Sequence, residues 1–115
     1  MRNTDGETPL HMACWYNNVQ AAAALLARPG VEVNVENVKG HTAMTRAVWW
    51  CNREVVELLL RDGRVELGEG LEEQVGRFGG TERQKKDLVG LIREERGRRE
   101  LVKELDEGGR EVVEL

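Results

Sequence analysis

The sequence predicts an all-α solenoid of stacked helix-turn-helix units joined by hairpin loops, with a polar C-terminal helical tail. Two observations carry that prediction. The first is self-similarity at a period of 34 residues: Gly6-Glu7-Thr8 returns as Gly40-His41-Thr42, Ala13 as Ala47, Trp15 as Trp49, Asn18 as Asn52, and Leu25-Leu26 as Leu59-Leu60. The second is the order of signals inside each copy, where turn residues precede a capped helix, a polar break, a second helix and an extended exit. One such module cannot bury its apolar face alone, so copies must stack. Stacking generates an extended surface, which points to binding rather than catalysis.

The first unit opens on Asn3-Thr4-Asp5-Gly6, where Asn and Asp bond their own backbone and Gly supplies positive φ. Thr8 is placed to cap a helix over 9–16, with Pro9 at its first position, where a missing N–H costs nothing. Leu10, Ala13 and Cys14 share one side. Asn17-Asn18 breaks the helix, and Val19 to Ala27 forms a second one with Ala22, Leu25 and Leu26 as its buried stripe. Pro29-Gly30 ends it, and Val31-Glu32-Val33-Asn34 runs extended into a turn over 37–40. The second unit repeats the plan: Thr42 caps, Met44, Ala47 and Val48 face inward, Cys51-Asn52 breaks, and Val55, Val56, Leu58, Leu59 and Leu60 make the second helix apolar.

These features resemble the ankyrin repeat family. Gly6-Glu7-Thr8-Pro9-Leu10-His11-Met12-Ala13-Cys14 is similar to its G-x-T-P-L-H-x-A-A/C signature, and 33–40 to its V-N-x-x-D-x-x-G hairpin, with Asn37 in place of Asp. Val55-Val56-Glu57-Leu58-Leu59-Leu60 fits its second helix. Ala43, Met44 and Thr45 depart from the usual Pro, Leu and His, which weakens capping of that first helix. The resemblance covers residues 3–67, with units at 3–36 and 37–70.

Beyond Leu67 the match decays. The third hairpin is largely missing, and residues 71–96 read as a degenerate capping repeat: a short first helix from Leu71, a Gly79-Gly80 break, and a second helix over 84–96 with Leu88, Val89, Leu91 and Ile92 inward. The remainder, 97–115, is a charged tail or a truncated further repeat. Arg110-Glu111-Val112-Val113-Glu114-Leu115 echoes Arg53 to Leu58, but Glu104 would occupy the tight Ala13/Ala47 position, where a carboxylate is costly.

Composition narrows the function. No apolar run approaches the roughly 20 residues of a membrane span, and no secretory signal or Asn-x-Ser/Thr acceptor is visible. The net charge of −4 is made of mixed signs, which offers no field for nucleic acid or anionic lipid. Cys14 and Cys51 match no metal-ligand or redox spacing, so an intracellular home, cytoplasmic or nuclear, is expected. No cofactor or metal is expected, no phosphate loop or nucleophile constellation is present, and His11 is expected to order the turn. Cys14 is expected as an inert core thiol and Cys51 as a more accessible one.

The expected activity is therefore non-catalytic protein–protein interaction by a monomer, through the concave face the resemblance implies. An alternative is a fragment or decayed copy of a larger repeat protein with a purely structural role. Apart from Phe78, every aromatic falls in two equivalent pairs, Trp15-Tyr16 and Trp49-Trp50. In the family these positions point toward the groove, and Trp and Tyr are enriched at binding hot spots. The same rings could instead wedge between units. Thr4, Asp5, Glu7, Val38, Lys39 and His41 stand at the family's hairpin contact positions and complete the expected partner surface.

Overall fold

The structure is a computed structural model that describes residues 4–114, with side chains described through residue 105. Asn3 and the side chains of the 110–115 echo lie outside the described residues. Six helices follow one another: α1 (Pro9–Trp15), α2 (Val19–Leu26), α3 (Ala43–Trp49), α4 (Arg53–Arg61), α5 (Leu71–Gln74) and α6 (Glu82–Glu114). They form two layers. α1, α3 and α5 pack in sequence along one, and α2, α4 and α6 along the other.

Local chemistry starts each helix where the sequence places it. Thr8 accepts from the His11 N–H, and the His11 ring returns the bond by accepting from the Thr8 N–H at 3.1 Å. Such a closed cap contributes about 0.5–2 kcal/mol. Thr42 accepts from the Thr45 N–H, but Thr45 has no ring to reach back, so this cap is one-sided. The breaks before α2 and α4 turn on Asn17 and Cys51, both at φ 53°. Asn tolerates this left-handed conformation better than Cys does. The hairpin between the units is ordered by Asn37, which is buried and accepts from the Lys39 and His41 N–H groups at 2.9 Å each. Asn therefore serves where an acidic residue was the expected partner.

The core lies between the layers, with Met44, Val48, Val55, Val56 and Leu59 fully enclosed. Leu88 and Ile92 of α6 cover the outer side of the second unit. Leu25 and Leu26 are only half-buried, unlike their equivalents Leu59 and Leu60, because no described element lies over the outer side of the first unit.

Two arginines fasten each unit to the one before it. Arg64 donates to the Leu26 carbonyl at 2.7 Å, and Arg99 donates to the carbonyls of Leu60, Asp62 and Val65. Leu26 and Leu60 are equivalent positions at helix C-termini, where free carbonyls favour a cation.

α6 runs further than the predicted second helix. It continues without a break past Arg96 to Glu114, so no loop separates the capping repeat from the tail. Glu104 is exposed on it and enters no tight helix contact.

Candidate partner-binding surface

α5 is followed by a tight loop, 75–80, that folds back over the C-terminal end of α3. The Gly76 N–H donates to the Val48 carbonyl at 2.8 Å, and the Phe78 and Gly79 N–H groups donate to the Trp49 carbonyl at 3.0 and 3.2 Å. The Trp49 carbonyl at the helix end gains its partners in this way, and the Val48 carbonyl, which already accepts from the Cys51 N–H at 3.2 Å, gains a further one. The loop also sets the fate of the residues beneath it. Gly80 carries φ +109°, and a Cβ there would stand 2.5 Å from Cys51 Sγ, so only glycine permits this approach. Cys51 is consequently buried, not accessible, and burial raises its thiol pKa. Cys14 is fully enclosed, with its pKa pushed up to about 12 by burial, as befits an inert core thiol.

Trp49 departs from its expected place. It is 4% exposed, with the Phe78 ring 4.9 Å away edge-on and its indole N–H donating to Gln74 Oε1 at 2.9 Å. A buried indole needs such an acceptor, and Trp49 is a packing residue between the second unit and the cap. Trp15 meets it edge-on at 6.3 Å and meets Trp50 at 5.5 Å. Trp50 stacks on Phe78 at 5.9 Å. Trp50 and Phe78 are 38% and 52% exposed, so an outward aromatic surface exists, built on Trp49 rather than from it. Tyr16 makes no ring contact within this array. It stands 69% exposed at the C-terminal cap of α1, lining a recess with Met12 and Leu25.

Phe78 was not singled out from the sequence. The available signal was a lone aromatic in a glycine-bounded segment, Gly76 to Gly80, which is where backbone approaches closely enough to set a ring on its neighbours.

Arg46 holds the array. Its guanidinium lies 4.6 Å from the Trp15 ring centroid and 4.7 Å from that of Trp49, and pairs with Glu7 at 3.0 Å. Both side chains of the pair are about one-tenth exposed. Glu7 is thus committed to an internal ion pair and is not a free contact residue. His41 is likewise corrected: its ring lies edge-on to Trp49 at 4.6 Å and is half-buried, with Nδ1 enclosed and unpartnered among the described residues. Burial, then the nearby Arg46, Arg77 and Lys39 cations, hold its pKa below 6.5. Thr4, Asp5, Val38 and Lys39 are exposed, and the Val38 N–H donates to the Asp5 carbonyl at 2.9 Å, which joins the two hairpin tips.

His11 is fully buried. Because Nδ1 accepts from Thr8, Nε2 carries the hydrogen, and it donates to the His41 carbonyl at 2.9 Å. The ring thus links one unit's cap to the next unit's hairpin.

A family model for ankyrin repeats in three copies matches residues 1–68. The chain belongs to the ankyrin repeat family. Over 66 residues it is 39% identical to the SMC5-SMC6 complex localization factor protein 1 of Mus musculus and of Homo sapiens, a match that covers 56% of this chain and 6% of those proteins. It is 32% identical over 73 residues to ankyrin repeat domain-containing protein 13C-A of Xenopus laevis, covering 64% of this chain and 14% of that protein. The chain therefore spans a small fraction of the length of the curated relatives it matches. Ankyrin repeats are generally non-enzymatic modules that bind other proteins. Among the described residues, no helix is long and apolar enough to cross a membrane, and no group of three or more His, Cys, Asp and Glu side chains is placed to hold a metal ion.

Proposed function

We propose that this ankyrin-repeat protein is a non-catalytic binding module whose contact surface is the Trp50–Phe78 pair, flanked by Trp15 and by the hairpin tips Thr4, Asp5, Val38 and Lys39. The observation that carries this reading is two stacked, outward aromatic rings held rigidly on a buried base of Trp49 and Arg46. Rigid aromatics lose little conformational entropy on binding and are enriched at hot spots. Val38, 72% exposed at a hairpin tip, adds an apolar contact with no evident role in folding. Likeness to a protein named as a localization factor supports a docking role for the repeats. The two free, buried cysteines favour a reducing, intracellular setting, cytoplasmic or nuclear.

The test is a photo-crosslinking residue at Val38 to identify the bound protein, followed by affinity measurements on that partner. Trp50→Ser and Phe78→Ser should each weaken capture by about 2 kcal/mol or more, beyond the loss of about 1 kcal/mol in fold stability that removing one ring of the pair brings. Unchanged affinity in both variants would move the contact surface elsewhere.

A further inference from the structure

The chain omits one hairpin and holds a recess in its place. Ten positions separate Val33 from Ala43, the first residue of α3, but four separate the equivalent Leu67 from Leu71, the first residue of α5. The third hairpin is therefore cut to a short turn. The first two hairpins show how neighbouring fingers join: the Val38 N–H donates to the Asp5 carbonyl at 2.9 Å. Lys39 holds the position of Asp5 in the second unit, and its carbonyl accepts no hydrogen bond among the described residues. A recess of about 520 Å³ lies between Gly40 of this hairpin and the 66–70 turn. Segments of the chain bound it on both sides, so it comes from an internal deletion and not from where the sequence begins or stops.

We propose that this recess receives an extended, lysine- or arginine-bearing segment of a partner protein, which takes the place of the missing hairpin. Two independent observations select that occupant. Backbone geometry sets the extended form: a partner N–H can donate to the Lys39 carbonyl as Val38 donates to Asp5, in the way a supplied strand completes an open edge. Charge sets the side chains. Glu36, Glu66, Glu69 and Glu73 line the recess, all exposed and none in an ion pair among the described residues. Arg77 is the one lysine or arginine along it, and its guanidinium is engaged by Gln74 Oε1 at 3.2 Å and by the Phe78 ring at 5.7 Å. A basic segment brings the countercharge that the fold does not supply, and an acidic one is repelled. Arg77 also joins the recess to the Trp50–Phe78 surface. The inference thus deepens the proposed function by naming the chemistry of the partner segment, and rests on it in taking that partner to be a protein.

The test is an amide NMR titration of the full chain with a capped peptide of alternating glycine and lysine, up to about 1 mM. The expected result is saturable shifts confined to 36–42 and 66–77, and none with the glycine–glutamate counterpart. The triple variant Glu66→Gln, Glu69→Gln, Glu73→Gln should weaken the peptide at least about tenfold, whereas Glu54→Gln with Glu94→Gln, exposed on the outer helices, should bind it like the parent. Replacing Gly68-Glu69-Gly70 by a copy of residues 34–42 restores the hairpin and should abolish binding; should that graft fail to fold, the glutamine variants decide. Shifts spread over the whole surface, equal binding of the glutamate peptide, the same shifts with calcium chloride alone, or a triple variant that binds like the control would each overturn the proposal. Failure here is distinct from failure of the aromatic surface. If the partner found through Val38 needs Trp50 but not the recess glutamates, this inference falls alone. If it needs the glutamates but not Trp50, the aromatic reading falls and this one stands.

Discussion

The side-chain amide of Asn52 donates to the carbonyl oxygen of Cys14 at 2.7 Å, although its repeat equivalent, Asn18, accepts from the Ala21 N–H at 3.1 Å and caps its own helix. One residue type at one repeat position thus performs opposite hydrogen-bond roles. Asn18 is used as an acceptor for the next helix, and Asn52 as a donor that closes the C-terminal end of α1. Aspartate separates the two. Asn18→Asp keeps the acceptor and adds a negative charge near a helix N-terminus, so stability should hold or rise slightly. Asn52→Asp removes the donor and sets a carboxylate against a carbonyl, at an expected cost of about 1–3 kcal/mol. Urea unfolding of the two variants checks this, and equal stabilities would contradict the assigned roles.

The repeat itself was legible because its signals are local. Thr8 and Thr42 cap, Asn17 and Cys51 turn, and Leu59 falls on the buried stripe, each fixed by a few neighbouring residues. The surface was less legible because exposure depends on what the chain does far away. Trp15 and Trp49 are equivalent in sequence, yet only Trp49 lies under the 75–80 loop, and no feature near Trp49 announces that loop. Glu7 and Arg46 are separated by 39 residues, so their ion pair follows from the stacking of units and not from any motif. The Leu25–Leu59 contrast has the same origin, a cover present over one unit and absent over the other.

Trp49 and Trp50, adjacent in the chain, should respond in opposite ways to truncation. Trp49→Ala removes an enclosed indole and leaves a cavity between the second unit and the cap, at an expected cost of about 3–5 kcal/mol. Leu59→Ala, at a fully buried position of α4, should cost about 2–5 kcal/mol through the cavity it leaves. Trp50→Ala loses a stacked but exposed ring and should cost about 1 kcal/mol, in keeping with the modest energy of an aromatic pair. Iodide quenching offers a separate readout: replacing Trp50 by Phe should remove most of the quencher-accessible emission, whereas replacing Trp49 should remove mainly shielded, blue emission. Greater loss of accessible emission on replacing Trp49 would contradict its buried assignment.

His41 should make the fold sensitive to mild acid. Burial of its ring comes first among the causes that lower its pKa, with Arg46, Arg77 and Lys39 adding to the effect and Glu7 opposing it. Its folded pKa therefore lies below the ordinary value of 6.5, and between the two values the unfolded chain binds the proton more readily than the folded one. Above 6.5 the ring is neutral in both states and its ionisation contributes no pH dependence. As pH falls through 6.5 the unfolded state gains the proton first and stability declines, until pH passes the folded pKa and the loss levels off. The unpartnered Nδ1 fits this direction, since a proton there would gain no acceptor among the described residues. Urea unfolding of the parent and of His41→Gln, each at about pH 7.5 and about pH 5.5, isolates the effect because every other titrating group is common to both. The parent should lose more stability on acidification than the variant. An equal loss in the two proteins would show that the ring takes up its proton as readily in the folded state as in the unfolded one.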